Sequence, residues 1–187
     1  MNRLISLHNS IFGFIQTLAG HGLPVLARFT FAAVLLMYFW RSALTKLGDG
    51  FFGFLNPSVG AYTQMFPRQM EAVSYDVTQL GILPWLVALV GTWAEFLLPL
   101  LIVLGLFTRL AALGMIGFVV VQSLTDVYGH GATDAQTLGA WFDGASGSLI
   151  MDQRTLWVFL LLYLVARGGG FLSLDALWRR MGAPGPV

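Results

Sequence analysis

Long apolar runs divided by short polar breaks organise this chain. A helix needs about 20 largely apolar residues to cross a bilayer core roughly 30 Å thick, and four segments meet that demand. They cover 24–47 (PVLARFTFAAVLLMYFWRSALTKL), 85–107, 110–128 (LAALGMIGFVVVQSLTDVY) and 155–172. Only Thr108 and Arg109 part the second run from the third, so those two helices must be antiparallel neighbours. Residues 1–23 read differently. Leu4, Ile5, Leu7, Ile11, Phe12, Phe14, Ile15 and Leu18 are interrupted by His8, Asn9, Ser10 and Gln16. A secretory leader has a continuous apolar centre, so this pattern predicts an amphipathic helix lying at the membrane interface. Loops 48–84 and 129–154 join the spans, and a tail covers 173–187. The pattern as a whole predicts a single all-α domain over 1–187, an integral membrane four-helix bundle.

Composition supports that class. The chain is 57% hydrophobic and 10% charged, whereas a soluble domain is about 25% charged. Too little charge is present to cover a water-soluble fold of 187 residues. There is no cysteine, which removes disulfides and thiolate chemistry from this chain. The net charge of +1 says little, and no basic or acidic tract points to nucleic acid. The distribution says more. With four spans, one side of the membrane holds Arg3, Arg28, Arg109, Arg167, Arg179 and Arg180 against Asp175. The other holds Arg41, Lys46, Arg68 and Arg154 against Asp49, Glu71, Asp76, Asp126, Asp134, Asp143 and Asp152. Cytoplasmic loops carry the excess of Lys and Arg, so both termini are expected in the cytoplasm of a bacterium and the protein in its inner membrane.

One charge is left in mid-membrane. In GTWAEFLLPLLIVLGLF (91–107), Glu95 stands amid hydrocarbon and Pro99 follows four residues later, unable to donate to the Glu95 carbonyl. Even lenient insertion scales put a charged side chain at mid-membrane at about 2.5–3.5 kcal/mol, so Glu95 should be paired, neutral or turned inward. Ala88, Gly91, Thr92 and Pro99 share its face and would let another helix approach closely. Span one offers a polar stripe, Tyr38, Arg41, Ser42 and Thr45. Arg41 is the expected partner, because Lys46 lies roughly 140° from it around the helix and nearer to water. Span three adds Gln122, Ser123 and Asp126. The expected intramembrane cluster is therefore Tyr38, Arg41, Glu95, Gln122 and Asp126. It reads as a structural ion pair, as a proton relay or ligand site, or as a neutral hydrogen-bonded carboxyl group. His130, Asp134, Asp143 and Asp152 match no metal-ligand spacing, so no metal site is expected. No nucleophile–base pair, phosphate loop or haem-ligating histidine pair is visible, and no catalytic residue is assigned.

Several positions resemble the DoxX family of small four-helix membrane proteins. LARFTFAAVLLMYFWRSALTKL is similar to the family's opening arginine and closing Lys-Leu, placing Arg28 and Lys46. AEFLLPLLIVLGLFTRLAAL is similar to its Glu, Gly-Leu and Thr-Arg-Leu-Ala pattern, at Glu95, Gly105, Thr108 and Arg109. GGGFLSLDAL resembles its glycine-rich close with Ser-Leu-Asp, at Gly168, Gly170, Ser173 and Asp175. Arg41 departs from the neutral or small residue expected there, and the loop DVYGHGATDAQTLGAWFDGASGSLIMDQR is longer than in minimal members. The resemblance implies association with membrane redox systems, among them a thiosulfate:quinone oxidoreductase, and with assemblies handling oxidative or thiol stress. The expected function is a non-catalytic accessory subunit of such a system, with a protein partner and contact with quinone. The alternatives are a small proton-coupled transporter or channel using Glu95, and a scaffold or maturation factor for an exported protein.

Overall fold

A computed structural model describes residues 2–182, apart from the side chains of Asn2 and His21. Helix α1 runs over Asn2–Phe31 and passes through a π-helical turn, Ala32–Leu36, into α2, Met37–Leu44. Two short helices follow, α3 (Val59–Met65) and α4 (Pro67–Ala72). The bundle is completed by α5 (Ile82–Leu104), α6 (Thr108–Leu124) and α7 (Thr155–Arg167), with α8 (Leu174–Gly182) closing the described chain. No strand occurs among the described residues. Four stretches are long and apolar enough to cross a membrane: Gly22–Leu44, Ile82–Leu104, Thr108–Gly129 and Leu149–Arg167.

Two boundaries differ from expectation. The fourth span begins at Leu149 rather than 155 and stops at Arg167 rather than 172. Its start is a reciprocal cap: the Asp152 N–H donates to Ser148 Oγ at 3.2 Å, and the Ser148 N–H donates to the Asp152 carboxylate at 2.8 Å. The capped N–H groups would otherwise have no partner, which draws a polar sequence into the helix. The first helix is also not a separate interfacial piece. It continues unbroken from Asn2 to Phe31 with Pro24 inside it. Residues 3–18 lie exposed. The tail expected over 173–187 becomes α8, and residues 183–187 lie outside the described residues.

The core follows from helix faces. Phe31, Leu35 and Phe39 of span one, Ile102 of α5, Met115 and Val119 of α6, and Leu161 and Leu164 of α7 are buried together. Ala111 and Ala112 belong to the same cluster and let α6 lie close to α7, its most extensive neighbour. A smaller cluster (Ala61, Tyr62, Met70, Ala88) seats α3 and α4 on the start of α5. The bundle therefore has two unlike ends. The terminal end holds the α5–α6 and α7–α8 turns, and the loop end is roofed by α3 and α4.

Candidate functional site

At the loop end, Glu95 is buried and ion-paired, but its partner is Lys46. Lys46 Nζ donates to Glu95 Oε2 at 2.8 Å and to Oε1 at 3.0 Å. Both side chains are at most 4% exposed. Ser42 completes the group: its hydroxyl donates to Glu95 Oε1 at 3.3 Å and accepts from Lys46 Nζ at 2.5 Å. Arg41 is exposed and makes no ion pair among the described residues, which corrects the expected pairing. The reason lies in side-chain direction. Helical side chains lean toward the N-terminus, so Lys46 drops back one turn onto Ser42 and reaches a depth that its Cα position does not suggest. Arg41 points away from the bundle instead, close enough to the end of its span to snorkel to the headgroups.

A second ion pair joins spans three and four. Arg154 Nη2 donates to Asp126 Oδ2 at 2.7 Å, and Arg154 Nη1 donates to Ser123 Oγ at 2.9 Å. Arg154 is 3% exposed. Nothing in the order of residues joins positions 126 and 154; only the return of span four beside span three does. Gln122 Nε2 donates to the Tyr38 hydroxyl at 3.1 Å, and the Tyr38 ring meets Trp157 edge-on at 5.2 Å. Tyr38 and Gln122 thus tie span one to spans three and four.

These groups surround a groove. Between α5 and α6 lies a cavity of about 680 Å³ that Lys46, Ser42, Glu95, Gln122, Asp126 and His130 line at its polar end. Its apolar walls include Val90 and Leu98 on α5 and Phe118 and Val121 on α6, and Met65 and Phe66 roof it. Val90 and Val121 are exposed, so the groove opens on the flank of the bundle. Gly117 faces it: a Cβ there would meet nothing within 4 Å. The structure therefore gathers Glu95, Gln122 and Asp126 around one space, keeps Tyr38 behind its wall, leaves Arg41 outside and brings in Lys46. Among the described residues no group of three His, Asp or Glu side chains could hold a metal ion.

The remaining motif positions meet at the terminal end. Arg28 is buried and donates through Nε to the Ile102 carbonyl at 3.0 Å, through Nη2 to the Val103 carbonyl, and through Nη1 to the Gly169 and Leu172 carbonyls at 3.0 and 2.5 Å. One guanidinium thus satisfies the end of α5 and the turn after α7, where carbonyls lack helical partners. Asp175 does the converse for the start of α6. Its carboxylate accepts from the Phe107 N–H at 2.7 Å, the Thr108 N–H at 2.9 Å and the Thr108 hydroxyl at 2.7 Å. Burial works to raise its pKa, but those hydrogen bonds and Arg179 outweigh it and hold the carboxyl group below the usual range. Gly105 sits at φ +69, and a Cβ there would fall 2.5 Å from Ser173 Cβ and 2.8 Å from Arg28 Cζ. Only glycine fits. Gly170 also has positive φ, and Ser173 caps α8 by accepting from the Ala176 N–H at 3.1 Å. Arg109 remains exposed beside Gly168. This end is a knot of backbone satisfaction.

No curated protein and no solved structure matches the chain. The DoxX family profile matches residues 23–125, which take in the first three spans with Arg28, Lys46, Glu95, Gly105, Thr108 and Arg109. Gly170, Ser173 and Asp175 lie beyond the matched stretch, yet they close in space on its Arg28, Gly105 and Thr108. With more than half its length matched and with four apolar helices of membrane-crossing length, the chain is a multi-pass membrane protein and belongs to the DoxX family.

Proposed function

We propose that the protein is a non-catalytic accessory subunit of a membrane redox or stress-response system, and that its groove receives a quinone-type ligand from the bilayer. The observation that carries this reading is the groove itself. Its volume of about 680 Å³ falls within the roughly 300–1,000 Å³ of small-molecule sites. Its walls are apolar and open sideways toward lipid, while its inner end is polar and held in place by two ion pairs. That combination suits a ring with a polar edge and a hydrocarbon tail. Because the chain has no cysteine and no redox-active side-chain set is gathered at the groove, the electron chemistry belongs to a protein partner. The excess of arginine at the terminal end supports cytoplasmic termini in the inner membrane.

A second reading has one observation in its favour. Glu95 lines the cavity, as the carboxyl group of a proton-coupled transporter would. The two readings separate experimentally. Purified from its native membranes in mild detergent, the protein should bring along a redox protein and a quinone, both identified by mass spectrometry. Gly117→Phe, which fills open space, should emerge folded without the quinone. A protein that emerges alone with phospholipid, and that supports proton flux in vesicles abolished by Glu95→Gln, would overturn the accessory reading.

A further inference from the structure

The open hydrogen-bonding groups at the polar end of the groove select the head group that it can hold. The ammonium that lines the groove is already committed. Lys46 Nζ donates to both Glu95 oxygens and to Ser42, and the Ser42 hydroxyl donates to Glu95. Arg154 stands behind the lining, gives its two terminal nitrogens to Asp126 and Ser123, and leaves only its buried Nε without a partner. Acceptors, in contrast, remain open. Asp126 uses Oδ2 toward Arg154, and its Oδ1 has no donor among the described residues. His130 Nε2 lies 3.0 Å from the Gln64 carbonyl oxygen. A carbonyl can only accept, so that nitrogen carries the proton and Nδ1 of the neutral ring is left as an acceptor. Asp126 and His130 are four residues apart at the end of span three, and both line the groove.

The charges there cancel in pairs, Lys46 with Glu95 and Arg154 with Asp126. Neither a cationic nor an anionic head therefore meets a net charge of opposite sign. A neutral head bringing O–H groups meets both open acceptors. The apolar side adds a shape requirement, because Phe66 and Phe118 line the groove and favour a flat ring between the helices.

We propose that the groove binds the hydroxylated form of a ring amphiphile, a phenol or hydroquinone with an apolar tail, in preference to its oxidised or alkylated counterpart that offers acceptors only. The proposal rests on the groove being the ligand site, and it names which redox form is held there. The quinol would lie with its ring between α5 and α6, one hydroxyl toward Asp126 and His130 and its tail directed out between Val90 and Val121.

The test uses the whole protein in lipid nanodiscs and three probes of similar hydrophobicity: 4-octylphenol, its methyl ether 4-octylanisole, and 1-dodecanol. Binding is read by equilibrium dialysis against empty nanodiscs. A hydrogen bond to a charged acceptor is worth about ten-fold or more in affinity, so octylphenol should bind at least about ten-fold more tightly than octylanisole. Gly117→Phe should abolish saturable binding, and His130→Phe should shrink the preference. Equal binding of phenol and anisole would overturn the head-group inference while leaving the groove a ligand site. Dodecanol binding as well as octylphenol would overturn the ring requirement. No saturable binding of any probe would overturn this inference and the groove reading together.

Discussion

Glu95 and Lys46 show how much a single contact decides. Together they bring no net charge into the membrane, whereas either alone would be an unpaired ion in a place of low polarity. Breaking a buried pair by removing one member costs about 3–5 kcal/mol. Glu95→Gln and Lys46→Gln should each lower the unfolding midpoint in detergent, and the double variant should lose markedly less than their sum. Arg41→Gln should add independently to Glu95→Gln, within about 0.5 kcal/mol. Strict additivity for Lys46, or coupling for Arg41, would overturn the pairing. At the other end, Asp175 carries a pH signature. Its folded pKa lies below the ordinary carboxylate value, so its stabilisation is complete above the unfolded value of about 4 and is lost as pH falls through the folded one. Asp175→Asn should be less stable than the wild type at pH 7 by about 1 kcal/mol, as for a lost helix cap. Its thermal midpoint should change less between pH 5 and pH 3. A parallel pH profile for the two proteins would rule out this role. That Glu95 needed a partner was legible from one carboxylate in seventeen residues of hydrocarbon. That the partner was Lys46 was not, because depth counted along Cα positions ignores the backward lean of a long side chain.

Among the elements, the loop after span one is the least ordinary. Gly48, Gly53 and Asn56 close it on itself: the Gly48 N–H donates to the Gly53 carbonyl at 3.0 Å and the Asn56 N–H donates to it at 3.3 Å. The Ser58 N–H returns to the Lys46 carbonyl at 2.9 Å. Trp93 Nε1 donates to the Phe54 carbonyl at 3.0 Å, which fixes the loop against α5 about 16 Å from the start of that helix at 1.5 Å per residue. A segment at that depth must satisfy its own backbone, and this one largely does so while exposing Phe51, Phe52 and Leu55. Those side chains should sit among acyl chains, with Asp49 limiting how deep they go. The chain has no cysteine of its own, so Phe51→Cys carries a single spin label. Its collision rate with oxygen should greatly exceed that with a water-soluble nickel complex; the reverse order would place the loop in water. The sequence pattern does not disclose this loop, because GDGFFGFLN reads as an ordinary glycine-rich turn until Trp93 gives it a depth. Span four starts earlier than its apolar run suggests, since its polar first turn is neutralised by Ser148 and Asp126, partners that periodicity along one segment cannot reveal.

For the whole molecule, the two ends divide the work. The terminal end is sealed by Arg28 and Asp175, which satisfy loose helix ends from three separate segments, and the helices there are pinned closely together. At the loop end two ion pairs contribute Lys46, Glu95 and Asp126 to the lining of the groove between α5 and α6. Four spans, their hairpin order and the membrane class were plain from hydrocarbon run lengths, because a bilayer imposes one dominant length. The groove was not, since it exists only where two helices fail to touch. We propose that this groove is where the protein takes its ligand. The most direct measurement is photoaffinity labelling in native membranes with a diazirine-bearing alkylphenol, followed by peptide mapping. Adducts should concentrate on α5 and α6 around Val90, Leu98 and Val121 and disappear in Gly117→Phe. Adducts spread evenly over the lipid-facing perimeter, unchanged in that variant, would contradict the account.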